Sequence, residues 1–221
     1  FFESGESTFT LADGRRVTLQ TTTDYPLGET VRFTLVHVDG SGPFGIKLRI
    51  PGWARQVTLG VASTTINGTP RTYQTIKRDW QTGDTFEMRI PARPRLVMGA
   101  HGNAGLAALT YGPLVLAADD RVNPAQKIGT FQIDQQNIEA INFTVVPPAE
   151  TATLSPGVPI FQITAASIPE VAKGPRTLDI PVRFVPFAEA GNNSRYKVWM
   201  PVRMWSIPPE SAYFPPKVSR D

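Results

Sequence analysis

Residues 44–51 read Phe44-Gly45-Ile46-Lys47-Leu48-Arg49-Ile50-Pro51, followed by Gly52-Trp53-Ala54. Large apolar side chains fall on the even positions, and Gly, Lys and Arg fall on the odd ones. A period of two is the signature of a strand with one face on a core and the other in water. Pro51 stops it, because proline has no N–H to give to a ladder.

The same pattern recurs on both sides. Arg16 to Thr23 alternates apolar and polar residues and is rich in β-branched side chains, as is Val31 to Val36, with a turn at Tyr25-Pro26-Leu27-Gly28 between them. Gln56 to Val61, Thr72 to Lys77 and Thr85 to Ile90 are further strands. Asn67-Gly68 signals a tight hairpin turn, and Gln81-Thr82-Gly83-Asp84 a second. Leu106 to Thr110 and Leu114 to Ala118 flank Tyr111-Gly112-Pro113. No helical period competes with this pattern, so the chain is expected to be all-β, an antiparallel, jelly-roll-like sandwich.

Past Asp120 the texture loosens. Asn123-Pro124, Pro147-Pro148, Pro156-Gly157 and Gly174-Pro175 punctuate strands near Phe131–Ile133, Ile141–Val145 and Pro159–Thr164, then longer ones at Arg176–Val185 and Arg195–Pro201. The expected division is a sandwich over 1–120 and a second, smaller β unit over 121–221, or an extension packed on the first. The tail from Ile207-Pro208-Pro209 to Pro215-Pro216 reads as an extended strap.

Composition narrows the function classes. A chain of 221 residues can bury one large β core or two small ones. There is no cysteine, so disulfides, thiolate metal sites and a cysteine nucleophile are excluded from this sequence. The net charge is +3, but its arginines alternate with apolar residues along strands and form no basic block, so no nucleic-acid partner is expected. No apolar run reaches the roughly 18 residues of a membrane span, and the start has no basic region followed by an apolar core, so no signal peptide is read. The compartment stays open among bacterial cytoplasm, periplasm and secretion.

The ordered set Leu48-Arg49-Ile50-Pro51-Gly52-Trp53-Ala54, Ile66-Asn67-Gly68, Arg78-Asp79-Trp80, Gly83-Asp84 and Leu109-Thr110-Tyr111-Gly112-Pro113-Leu114-Val115 resembles the C-terminal β-sandwich region of β-L-arabinofuranosidase-type enzymes, glycoside hydrolase family 127 and its relatives. Gln20 to Pro26 and the stretch from Phe187 to Trp199 add to the likeness. The resemblance implies an upstream (α/α)6 barrel that carries catalysis, with a cysteine nucleophile, zinc in many members, and a glutamate acid/base. None of those positions exists here, so no catalytic residue, cofactor or metal ligand is carried over.

The leading expectation is therefore a non-catalytic accessory region that supports the barrel of the same parent chain or an oligomer interface such as a homodimer. The alternative is a carbohydrate-binding module, with Trp53 and Trp80 as a stacking platform; the competing reading of both is as plugs at the ends of the sandwich. A third is an independent hydrolase with two carboxylates about 5–10 Å apart. Arg78 and Asp84 bracket one hairpin and can pair across it. Asp119-Asp120 reads as a solvated strand end, and His37 and His101 are too few for a metal cluster. Gly99 to Gly105 reads as a flexible hairpin loop. Tyr25, Phe44 and Tyr111 are expected to contribute to an exposed docking face.

Overall fold

A computed structural model of the protein describes residues 2–125, 128–129, 131–134, 143–146, 154–167 and 179–203. Strands make up nearly all of its regular structure; among the described residues the exceptions are single 3₁₀ turns at His101–Asn103, Asp120–Val122 and Phe187–Glu189. No helix of the described residues is long and apolar enough to cross a membrane. The chain divides into two compact units, Phe1–Arg93 and Pro94–Asp221.

The first unit contains β1 (Gly5–Thr10), β2 (Arg16–Thr23), β3 (Thr30–Val38), β4 (Phe44–Arg49), β5 (Thr58–Val61), β6 (Thr64–Asn67), β7 (Tyr73–Arg78) and β8 (Thr85–Arg89). Six form one antiparallel sheet in the order β1-β2-β3-β8-β5-β6, and β4 pairs with β7 in a second. The register makes the core. Val31, Met88 and Leu59 lie in one cross-strand row, and Phe33, Phe86 and Val61 in the next. Phe33 and Phe86 stack with ring centroids 4.7 Å apart, within the range in which paired aromatic rings attract beyond the burial of their area. Leu48, Ile50 and Ile76 from the β4–β7 side close this core, whose members are all buried. The two-layer sandwich read from alternation is the architecture of this unit.

The second unit contains β9 (Pro94–Met98), β10 (Leu106–Tyr111), β11 (Leu114–Asp119), β12 (Phe131–Asp134), β13 (Thr144–Val146), β14 (Ile160–Ser167), β15 (Asp179–Pro186), β16 (Tyr196–Lys197) and β17 (Trp199–Arg203). Its pairings run β11-β15-β14-β12-β17-β10, and β10 pairs again with β11, so six strands close a ring. The pairing of β12 with β17 is parallel. Leu109, Leu116, Phe131, Phe161, Phe184 and Met200 fill the interior. Closure leaves those six strands no free edge inside the ring.

Three local readings change. The compact units divide at Arg93/Pro94 rather than at 120, because β10 and β11 take their partners from β15, β16 and β17; the second unit is then not the smaller one. Asn67-Gly68 is not the hairpin turn. The β5–β6 turn lies at Ala62-Ser63, where Ala62 has φ 51°, and Asn67 is still paired with Thr58. Gly68 serves close approach instead: a Cβ there would meet Ile50 Cδ1 at 3.0 Å and Val57 Cβ at 3.3 Å. Third, Tyr25, Phe44 and Tyr111 form no exposed aromatic face. Tyr25 and Phe44 pack on the first core and Tyr111 on the second, where its ring lies 5.0 Å from Phe143. The loop Gly99–Gly105 does join a hairpin, β9 to β10, through the turn at His101–Asn103. Arg176–Leu178 and the tail from Ile207 lie outside the described residues.

Two glycines test this packing in opposite directions. Gly60 faces outward in β5 with open space where a side chain would go, so Gly60→Thr is expected to stabilise the chain by up to about 1 kcal/mol through strand propensity. A Cβ on Gly99 would run into the Asn103 carbonyl oxygen and lie 2.7 Å from Asn103 Cβ, so Gly99→Ala is expected to cost about 1–3 kcal/mol. Thermal melts of both variants read the difference.

Candidate functional site

In the first unit, the two tryptophans take different roles. Trp80 follows β7 and is 1% exposed, packed against Phe86 at 5.2 Å and Phe44 at 6.4 Å. Arg78 sits over its ring at 5.0 Å and reaches Asp84 at 3.6 Å, so the expected pair across the turn forms and also covers the indole. Trp80 Nε1 has no hydrogen-bond partner among the described residues. Trp53 is half-buried and stacks on Tyr25 at 6.5 Å. The structure does not bring the two indoles together as an exposed pair, and Trp80 offers no face to a sugar.

The densest polar cluster is in the second unit, at a residue read from sequence as solvated. Asp119 ends β11 and has no exposed surface. Its Oδ1 accepts from the Arg121 backbone N–H at 2.9 Å and from Arg121 Nε at 3.0 Å. Its Oδ2 accepts from Arg121 Nη2 at 2.9 Å, the Gly191 N–H at 3.1 Å and the Ser194 hydroxyl at 2.9 Å. Arg121 also donates to the Glu189 carbonyl at 2.7 Å and to Glu189 Oε1 at 3.3 Å. Burial alone would raise the pKa of Asp119, but the donors from Arg121, Gly191 and Ser194 together outweigh it and hold the carboxyl below its ordinary range. Glu189 is likewise lowered, by the Ser155 N–H and Arg121 against its own desolvation. Beside them, buried Asn123 donates to the Asp119 and Arg183 carbonyls and accepts from the Arg183 N–H.

This cluster floors an open depression of about 670 Å³ lined by Asp120, Arg121, Gly191, Asn193, Ser194 and Arg195. Asp120 pairs with Arg195 at 2.8 Å at its rim. Gly191 is required there. Its φ is +84°, and a Cβ would stand 2.6 Å from the Tyr196 ring. Phe187 and Tyr196 are exposed nearby, tilted 52° to each other, so they offer no single flat platform. Sequence reading missed this cluster because a buried and a solvated Asp-Asp step look alike in one dimension. The signal available was Arg121 two residues beyond Asp119, within reach of its carboxylate across a tight turn.

His37 pairs with Asp39 at 2.8 Å on the surface, and among the described residues no group of three His, Asp or Glu is placed to hold a metal ion.

Residues 1–92 match the family model described as the middle domain of GH127 beta-L-arabinofuranosidase. That interval ends where the first compact unit ends. The match is to a middle domain, whereas the sequence resemblance pointed to the C-terminal region. No curated protein matches the chain. Among solved structures, the chain is similar to Ara127N, a GH127 beta-L-arabinofuranosidase from Geobacillus stearothermophilus T6, at 22% identity and a TM-score of 0.73, over 92% of this chain and 33% of that one. It is also similar to the GH127 beta-arabinofuranosidase BT3674, at 21% identity and a TM-score of 0.74, over 92% of this chain and 34% of that one. The likeness shows a shared fold, and the chain spans about a third of the length of these structures.

Two substitutions separate core from cluster. Trp80→Ala should cost about 3–5 kcal/mol, as loss of a fully buried aromatic does. Asp119→Asn should cost about 3 kcal/mol or more, because it leaves the Arg121 charge without its buried partner. Asp119 has a lowered folded pKa, so its stabilisation is present above the ordinary carboxyl value of 3.8 and is lost as pH falls below it through the folded value. Melting temperature should therefore fall on acidification below about pH 4, and fall less in Asp119→Asn than in the parent.

Proposed function

We propose that this chain is a non-catalytic β region of a GH127-type arabinofuranosidase, with its first unit as the middle domain and a helical barrel of the same parent protein as its partner. The observation that carries the reading is the family-model match over residues 1–92, whose end falls at the end of the first compact unit.

The chemistry of the described side chains supports it. A glycosidase acid must hold its proton near neutral pH, which takes a carboxyl pushed upward by burial or by a like charge. Asp13, Glu29, Asp39, Asp119 and Glu189 are all pushed the other way, each by arginine or backbone donors. Asp119 and Glu189 approach one another only through the arginine they share, which keeps both ionised. The resemblance assigns the nucleophile to a cysteine of the barrel, and this sequence has none. Positioning without a nucleophile or an acid does not cleave a glycosidic bond. The indole of Trp80 is committed to the core, which favours the accessory reading over a tryptophan-based binding module.

Incubated with a chromogenic β-L-arabinofuranoside, the purified chain is expected to release chromophore at the uncatalysed rate. Turnover that disappears on substitution of one Asp or Glu of this chain would overturn the proposal.

A further inference from the structure

The cations of the first unit fall into two sets. Arg15, Arg16, Arg32, Arg78, Arg89 and Arg93 each pair with a carboxylate: Asp13, Asp39, Glu87, Asp84 and, for the last two, Glu29. The remaining lysines and arginines are Lys47, Arg49, Arg55, Arg71 and Lys77, and none has an ion-pair partner among the described residues. All five are exposed, and all belong to β4, β7 or the segments leading from or into them.

Register places three of them on one surface. In the β4–β7 ladder the outward pairs are Gly45 with Lys77, Lys47 with Thr75, and Arg49 with Tyr73. The inward pairs, Phe44 with Arg78, Ile46 with Ile76 and Leu48 with Gln74, back onto the core. Lys47 and Arg49 are therefore about 7 Å apart along one strand, and Lys77 is diagonal to Lys47 at about the same spacing. Arg71 lies against Gly52 at the Arg49 end, so close that a Cβ on Gly52 would meet its Cγ at 2.9 Å. Neither strand carries an Asp or Glu. Like charges gathered on one face repel, and a merely solvated surface would intersperse acids as the rest of this unit does. The face is complementary to a polyanion.

We propose that the outward face of the β4–β7 ladder binds an acidic polysaccharide, a polymer carrying one carboxylate per uronic-acid ring. The choice of a sugar polymer rests on the proposed function above; the charge of the ligand rests on the face alone. Nucleic acid fits it less well. Single strands are held by stacking bases on successive aromatics, and the two strands carry outward a single aromatic, the exposed Tyr73, with the Arg49 guanidinium 5.7 Å from its ring. A two-stranded ribbon reads a duplex by entering its major groove, and this one is packed flat on a core by Ile46, Leu48 and Ile76.

The test is titration of the chain with polygalacturonate, neutral arabinan and single-stranded DNA of matched charge, at low and at roughly 0.15 M ionic strength. Polygalacturonate is expected to bind, more weakly at the higher salt, and arabinan not to bind. Lys47→Glu/Lys77→Glu should weaken binding about tenfold or more, because it reverses two exposed charges of the face at once. Lys77→Glu should weaken it where Arg183→Glu, the same charge change on an outward residue of β15, does not; melts of all variants confirm that they fold. No binding, or equal loss in Lys77→Glu and Arg183→Glu, would overturn the site. DNA bound as tightly as polygalacturonate would overturn the choice of ligand. Either failure leaves the non-catalytic reading standing, since that is tested separately by turnover.

Discussion

Ile46, Leu48 and Ile76 reach the core only because Lys47, Arg49 and Lys77 are turned away from it. The two-residue period of the strand is the constraint on which the rest of the first unit depends. It assembles the rows Val31–Met88–Leu59 and Phe33–Phe86–Val61 inside, and at the same time gathers on one outer surface the cations that the sequence scatters. A linear reading sees lysine and arginine diluted by apolar neighbours and finds no basic block. Paired strands remove the apolar half from view, and what is left on β4 and β7 is a face without a carboxylate.

The second unit depends on a different economy. Asp119 is buried as an anion, a placement that would be costly without partners. Five donors meet its two oxygens, and three of them come from Arg121. The pair ties the end of β11 to the segment around Glu189, Gly191 and Ser194, and Asn123 ties the same turn to the backbone of β15. These groups converge as catalytic groups do, yet every carboxylate in the convergence is held charged. That separates a structural ion-pair network from an acid/base pair: the two are alike in crowding and opposite in the direction of the shift.

Much of the fold was legible because strand signals are local. Arg16–Thr23 is a strand to the residue, and β3, β4, β7, β8, β10 and β11 fall within about two residues of the alternating runs. The failures are those where a partner distant in sequence decides. Asn67-Gly68 has the chemistry of a hairpin turn, but Ile50 and Val57 crowd Gly68, and the turn is made by Ala62-Ser63. The division of the chain moved to Arg93 because β10 finds its β17 partner more than ninety residues later and β11 its β15 partner more than sixty later. Asp119 looked solvated because the groups that bury it, Gly191 and Ser194, lie more than seventy residues away. Of the candidate tryptophans, sequence supplied the residues and the pair of possible roles; only packing could place Trp80 in the core.

The central claim is that the carboxyls of this chain held by arginine, Asp119, Glu189 and Glu29, have no proton to give at neutral pH. Titration of its Asp and Glu side-chain carboxyl resonances by NMR, from about pH 2 to 8, tests it most directly. The account predicts that Asp119, Glu189 and Glu29 titrate below the ordinary carboxyl range, with Asp119 and Glu189 shifting back toward it when Arg121 is replaced. A carboxyl among them that titrates well above that range, near neutrality, would contradict it.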